Sequence, residues 1–189
     1  MRKLISQMHV TLDGFVAGLN GEMDWIKFDS EVFDFVGILT NNSDTVIYGR
    51  TTWEIMDSYW PKAADKPGAT KHDKEHSAWY NSVKKIAISK SLQGQIKNNT
   101  NFIGDDVFKE VMNLKRGKGK NIMIFGSPSI VRLFMKENLI DEYWLYLNPV
   151  ILGTGISMYA EMNNKIDLTL KTSKVFNCGV TALQYVKSN

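Results

Sequence analysis

Apolar residues fall into short runs that recur along the chain, separated by stretches with helical spacing. Leu4–Val10 reads as a first strand and ends at the turn signal Asp13-Gly14. Thr45–Tyr48 reads as a second and is followed at once by Gly49. Lys85–Ser89 and Asn101–Ile103 are shorter candidates. Ile122–Phe125 is a continuous apolar run stopped by Gly126, the pattern of a strand buried on both faces. Tyr143–Leu152 is a longer run of the same kind. Leu168–Phe176 and Val180–Val186 predict a hairpin turning at Asn177-Cys178-Gly179.

Between these strands, Val32, Phe35, Val36 and Leu39 share one helical face, with Asp29 or Ser30 available as N-cap. Thr51 followed by Glu54 predicts a capping box opening a helix that carries Trp53 and Met56. Val107, Val111 and Leu114 form a third face after Asp105 or Asp106. Ser127-Pro128 predicts an N-cap with Pro at the first helical position, leading to Ile130, Leu133 and Phe134. Strand and helix alternate until the chain becomes mostly strand near its end. That order predicts an α/β fold with a mostly parallel mixed sheet and a C-terminal antiparallel hairpin. No repeat or linker interrupts it, so residues 1–189 read as a single domain.

Composition narrows the function classes. An apolar fraction of 43% over 189 residues supports a packed core and excludes disorder. The 23 basic and 20 acidic residues are scattered, without the cationic stripe of a nucleic-acid binder. The dense run Lys115-Arg116-Gly117-Lys118-Gly119-Lys120 reads as a solvated connecting loop. Ser6, Gln7 and His9 break what a signal-peptide core would need, and no apolar run approaches a membrane span. The expected location is the cytoplasm, with no nucleic-acid or membrane partner.

Two strand–Gly–helix junctions carry the strongest chemical signal: Tyr48-Gly49-Arg50-Thr51-Thr52 and Phe125-Gly126-Ser127-Pro128-Ser129. Each glycine permits a sharp turn and a close ligand approach, and each helix start offers unpaired N–H groups to phosphate. Both lie beyond the carboxyl ends of strands, where open α/β sheets bind ligands. Arg50 adds a charged fork suited to phosphate. Together they point to a nucleotide with more than one phosphate, although the G-x-G-x-x-G and P-loop fingerprints are absent.

Other candidates are weaker. His72-Asp73-Lys74-Glu75-His76 matches H-x-x-E-H, but it lies in a polar segment with no third ligand downstream. It reads as a solvated helical turn, and no metal site is expected. Cys178 sits in a hairpin turn, and His9 reads as a packed or edge histidine. The loop after the first strand holds Asp13, Glu22 and Asp24, with Trp25 among them and Asp29, Glu31 and Asp34 beyond. A carboxylate buried beside an aromatic ring there would have a raised pKa and could donate a proton.

Four stretches, in order, resemble the dihydrofolate reductase-like superfamily, and most of all the C-terminal reductase domain of the bifunctional riboflavin deaminase–reductase. They are Val10-Thr11-Leu12-Asp13-Gly14-Phe15-Val16-Ala17, then Ile47 through Glu54, then Phe125 through Ser129, and finally Asn138 through Gly155 with its Pro149-Val150-Ile151-Leu152-Gly153-Thr154-Gly155 end. The resemblance implies a three-layer α/β/α dihydrofolate reductase-like fold that binds NADPH across the C-terminal edge of its sheet. It places Gly49, Arg50, Thr51 and Thr52 at the cofactor's phosphates, with Arg50 on the 2′-phosphate. It places Ser89 on the adenosine side, and Gly126, Ser127, Pro128, Ser129 and Ile130 at the pyrophosphate. Ala17 falls near the nicotinamide. The sequence departs from the riboflavin enzymes' Gly-Gly-Gly-Pro at Phe125-Gly126-Ser127-Pro128, and the deaminase's zinc signature does not occur in these residues.

The implied activity is NADPH-dependent reduction of a small heterocycle, of riboflavin-pathway type. The alternatives are a dihydrofolate or pterin reductase, and an NADPH-binding module without efficient catalysis. For the acid, counting forward from Trp25 points to Asp29 or Ser30, and counting back from Gly49-Arg50 lands beside Asp34. Asp29 is the assigned candidate. The loop from Asp13 to Trp25 is expected to close over the site. Relatives are often dimers, and the Tyr143–Leu152 strand is the candidate surface for a homodimer.

Overall fold

The computed structural model describes residues 1–188. The chain begins with β1 (Leu4–Thr11) and a short β2 (Phe15–Ala17), then α1 (Ser30–Asn41), β3 (Ser43–Gly49) and α2 (Arg50–Tyr59). A 3-10 segment, Trp60–Asp65, leads into α3 (Lys71–Ser82) and β4 (Lys84–Ile88). Next come β5 (Ile96–Lys97), β6 (Thr100–Ile103), α4 (Val107–Arg116), β7 (Asn121–Phe125) and α5 (Pro128–Lys136). The chain ends with β8 (Glu142–Asn148), β9 (Ile156–Ser157) and the hairpin β10 (Leu168–Val175) and β11 (Thr181–Lys187).

Nine strands form one sheet in the order β10-β11-β8-β1-β7-β3-β4-β6-β5. The stretch from β8 to β6 is parallel, and β11 joins β8 antiparallel. Side chains alternate across β1, so Leu4, Met8 and Val10 enter one core while Ile5 enters another. The first core holds Val107 and Val111 of α4 and Ile130, Val131 and Phe134 of α5. On the opposite face, Val32 and Val36 of α1, Trp53 and Met56 of α2 and Tyr80 of α3 cover the sheet. This is a three-layer α/β/α arrangement.

Three local expectations need correction. The Thr51–Glu54 capping box does not form, because α2 starts at Arg50 with Gly49 as N-cap and Glu54 instead accepts from Arg50 Nε at 2.8 Å. The long run Tyr143–Leu152 stops being strand at Asn148, since Pro149 has no N–H to extend a ladder. β8 is an interior strand, hydrogen-bonded to β1 on one side and β11 on the other.

The segment around His72 is likewise more than a solvated turn. Thr70 and Asp73 form a reciprocal capping box at the start of α3. His76 is buried against Trp60, with ring centroids 4.1 Å apart, and His72 stacks on Phe33 at 3.8 Å. Burial holds the His76 imidazole down at about pKa 3, so it is neutral in the core. No helix among the described residues is long and apolar enough to cross a membrane.

Candidate active site at the carboxyl edge of the sheet

β3 and β7 are neighbouring parallel strands, yet their following helices leave on opposite faces. That divergence makes the junction a switch point of the sheet, the place where open α/β sheets take ligands beyond their strand ends. One hydrogen bond ties its two walls: the Gly49 N–H donates to Ser127 Oγ at 2.8 Å. A Cβ on Gly49 would sit 3.2 Å from Ile130 Cγ1, and one on Gly126 would sit 3.5 Å from Thr52 Cγ2. The two junctions are thus a single cradle.

Ser127 occupies the N-cap position of α5, as expected, but its hydroxyl does not cap that helix. Gly126 and Ser127 both adopt left-handed backbone, with φ of 62° and 59°. Glycine takes that conformation freely and serine does so at a cost. The bond from Gly49 uses the Ser127 side chain and helps hold the turn. Both α2 and α5 begin without a side-chain cap, whereas Asp29 and Thr70 cap α1 and α3. In α5 Pro128 has no N–H and Ile130 N–H donates to the Ser127 carbonyl at 3.0 Å, so the Ser129 N–H is the first-turn donor that helix offers. The N-terminus of α4 is also uncapped, but Asp105 and Asp106 beside it disfavour an anion.

At one end of this cradle the Arg50 guanidinium donates to Ser91 Oγ at 3.1 Å, and Ser91 lies 3.3 Å from Ser89 Oγ. Arg50 is exposed and Ser89 is buried at the end of β4. Ser91 is a member of this cluster that sequence reasoning passes over. The only signal for it is its place two residues after Ser89 in Ser89-Lys90-Ser91.

The first and last sequence stretches form a second pair. Asp13 accepts from the Thr11 hydroxyl (2.5 Å) and from the Gly153 (2.7 Å) and Leu152 (3.3 Å) N–H groups, which holds its carboxyl below the usual range. Leu12 N–H donates to the Val150 carbonyl at 2.9 Å, and β2 pairs with β9. Gly155 lies so close to the Ala17 carbonyl that no Cβ would fit between them. The segment carrying Ala17 is therefore a two-stranded ribbon locked to the Pro149–Gly155 loop.

Asp29 has a structural task. Its Oδ1 accepts from the Val32 N–H at 2.8 Å, capping α1, and its Oδ2 accepts from the Cys178 N–H at 3.0 Å. The Val32 bond first, and the Cys178 bond with it, lower its pKa. Asp13, Glu22 and Asp29 all shift downward, so none of the three is the buried, raised carboxyl that a proton donor in this loop would be. Backbone and side-chain donors stabilise their charged forms. Removing the cap in Asp29→Ala is expected to lower the melting temperature by about 2–4 °C while turnover persists. Loss of turnover with an unchanged melting curve would instead return Asp29 to the chemistry.

Family comparison matches residues 2–182 to the model described as RibD C-terminal domain. The chain belongs to this family. The RibD C-terminal match runs from β1 to the start of β11 and includes both glycine junctions.

Curated relatives of this domain include the Bacillus subtilis proteins YyaP, 35% identical across 97% of this chain and 94% of its own length, and YwjB, 31% identical across 99% of each. The riboflavin biosynthesis protein RibD of Corynebacterium ammoniagenes is 23% identical over 79% of this chain and 44% of its own length. Among solved structures, a protein from Shewanella sp. PV-4 assigned provisionally to riboflavin biosynthesis superposes with a TM-score of 0.77 at 19% identity, covering all of both chains. A pyrimidine reductase-like protein from Corynebacterium diphtheriae gives 0.68 at 14% identity, covering 100% of this chain and 92% of its own. These two structures share the fold.

Proposed function

We propose that this RibD C-terminal domain is an NADPH-dependent reductase of a small heterocyclic substrate, of the type that reduces 5-amino-6-(5-phosphoribosylamino)uracil. The observation that carries this reading is the Gly49–Ser127 bond, which sets two uncapped helix starts side by side at a switch point of the sheet. Helix N-termini beside glycines form an anion-receptive cradle suited to a pyrophosphate. The Arg50 guanidinium, with the Ser89 and Ser91 hydroxyls, would hold the 2′-phosphate that distinguishes NADPH from NADH. Thr51, Thr52, Pro128, Ser129 and Ile130 complete the first turns of the two helices.

When bound, NADPH would supply a hydride to an electrophilic carbon of the substrate. The β2–β9 ribbon would cover the nicotinamide end, with Ala17 against it, and exclude bulk water. Asp13, Glu22 and Asp29 all sit below the ordinary carboxyl range and hold no proton at neutral pH. Their charged forms favour a water in the site, rather than one of these three carboxyls, as the source of the proton that completes reduction.

A fluorescence titration with NADPH and NADH on wild type and Arg50→Ala tests this reading. The variant should bind NADPH about 1.5–3 kcal/mol more weakly and NADH nearly as before. Wild type binding neither nucleotide overturns the cofactor assignment. Turnover of dihydrofolate in place of the pyrimidine would make the protein a pterin reductase on the same cradle.

A further inference from the structure

We infer that His9 is the substrate-facing hydrogen-bond donor of this site, a neutral imidazole fixed with its proton on Nε2 and suited to a ring carbonyl oxygen. The inference rests on the reductase reading for what the site holds, but the tautomer follows from the protein alone.

The position comes from the ladder. Gln7 is the last β1 residue paired with β7, opposite Phe125, and Gly126 N–H closes onto the Gln7 carbonyl at 3.1 Å. From Met8 to Thr11, β1 pairs only with β8. His9 thus stands beyond the end of β7, beside the switch-point junction. Its ring stacks on Tyr146 at 4.8 Å and meets Phe28 edge-on at 5.4 Å, and it stays partly exposed. Gln7 Oε1, on the same face of β1, is buried without a partner among the described residues. This corner of the sheet therefore holds unmet hydrogen-bonding capacity.

The tautomer comes from Asn148, which is fully buried. Its Oδ1 accepts from the Lys27 backbone N–H at 2.9 Å, and its Nδ2 donates to the Tyr146 carbonyl at 3.0 Å. A backbone N–H can only donate and a carbonyl can only accept, so the amide cannot be reversed. The second hydrogen on Nδ2 then points at His9 Nδ1, 3.2 Å away, which must accept. A neutral ring accepting at Nδ1 carries its proton on Nε2, and Nε2 has no partner among the described residues. Desolvation keeps this imidazole neutral, with a pKa of about 4. A neutral N–H of this kind polarises a carbonyl without handing over its proton.

Histidine-selective ¹⁵N labelling of the intact protein reads the tautomer directly at neutral pH. A protonated Nε2 with a bare Nδ1 is expected at His9, and the reverse pattern overturns the inference. Adding 5-amino-6-(5-phosphoribosylamino)uracil, uracil or a pterin with NADP⁺ present should move the Nε2–H signal downfield for a carbonyl-bearing probe. No movement with any of the three overturns the donor role.

His9→Phe keeps the ring that stacks on Tyr146. It should raise KM for the pyrimidine roughly ten-fold and leave the NADPH Kd unchanged. An unchanged KM overturns the role. If His9→Phe fails to fold, His9→Gln, which retains an N–H donor, should hold KM between wild type and the loss, and a KM equal to that of His9→Ala overturns it. Failure of wild type to bind NADPH would sink the reductase reading alone, since the tautomer and the probe titration remain readable.

Discussion

Acidifying the protein from neutral pH to about pH 5 is expected to remove on the order of 4 kcal/mol of folding stability, about 2 kcal/mol each from buried His76 and half-buried, desolvated His9. Burial, and secondarily the charge of His72, puts His76 at about 3, and burial alone puts His9 at about 4, both below the ordinary 6.5. Between the folded and unfolded values, the unfolded chain binds the proton and the native chain does not. Stability therefore rises with pH across that window and falls as pH drops through 6.5 toward 4. The carboxyls of Asp13, Asp29 and Asp73 are lowered by their hydrogen bonds, so their contribution is lost at the acid end of this window and below it. Urea unfolding at a series of pH values checks this, with His76→Phe as the control. That variant keeps a ring among Trp60, Trp79 and Phe125 and should lose about half of the pH slope. A slope identical to wild type would mean that His76 takes up its proton in the folded state.

The second large effect belongs to Gly155→Ala, expected to cut turnover by about 100-fold with NADPH affinity nearly unchanged. A Cβ at this position would collide with the Ala17 carbonyl and crowd the Phe15 ring. Neither is the loose end of a flexible side chain, so β2 must move off β9. In the proposed site the ribbon would hold Ala17 against the nicotinamide, where shifts of about 1 Å would be costly to hydride transfer. The proposed phosphate cradle stands on β3, β7 and the starts of α2 and α5, and the nearest neighbours of a Cβ on Gly155 are Ala17 and Phe15. Stopped-flow NADPH oxidation alongside a nucleotide titration separates the two effects. Equal loss of affinity and turnover would mean that the ribbon supports the cradle as well.

Much of the site is legible in the amino-acid sequence alone. Gly49 and Gly126 are visible because a glycine between an apolar strand and a helix start has few other uses. Asp29 is visible as an N-cap for the same local reason, one short polar residue ahead of an apolar helical face. A proton-donor role for it rests on counting along a resemblance. Its actual partner Cys178 lies 149 positions away and cannot enter such a count. Ser127 shows the same division. Its position at the start of α5 follows from Pro128, but its hydroxyl answers to Gly49, 78 residues earlier. The Thr51–Glu54 box fails by two residues, since Gly49 takes the cap position and moves Thr51 inside the helix.

The sequence by itself determined the alternation of strands and helices, the antiparallel end hairpin, the family and the glycine junctions. Each of these is carried by side-chain periodicity, turn chemistry or short motifs that act over a few residues. The tertiary structure decided which strands are neighbours, and everything that depends on it. β7 inserts between β1 and β3, so Gly126 meets Gly49's wall, and β8 lies in the interior of the sheet between β1 and β11. His9 reads as a packed strand residue because its neighbours in sequence say nothing of Asn148, 139 positions on. Parallel β1 and β8 bring Thr11 opposite Asn148, and that register fixes the proton on the His9 ring. Hydrogen bonds between distant segments obey the sheet's register, which only the packed chain sets.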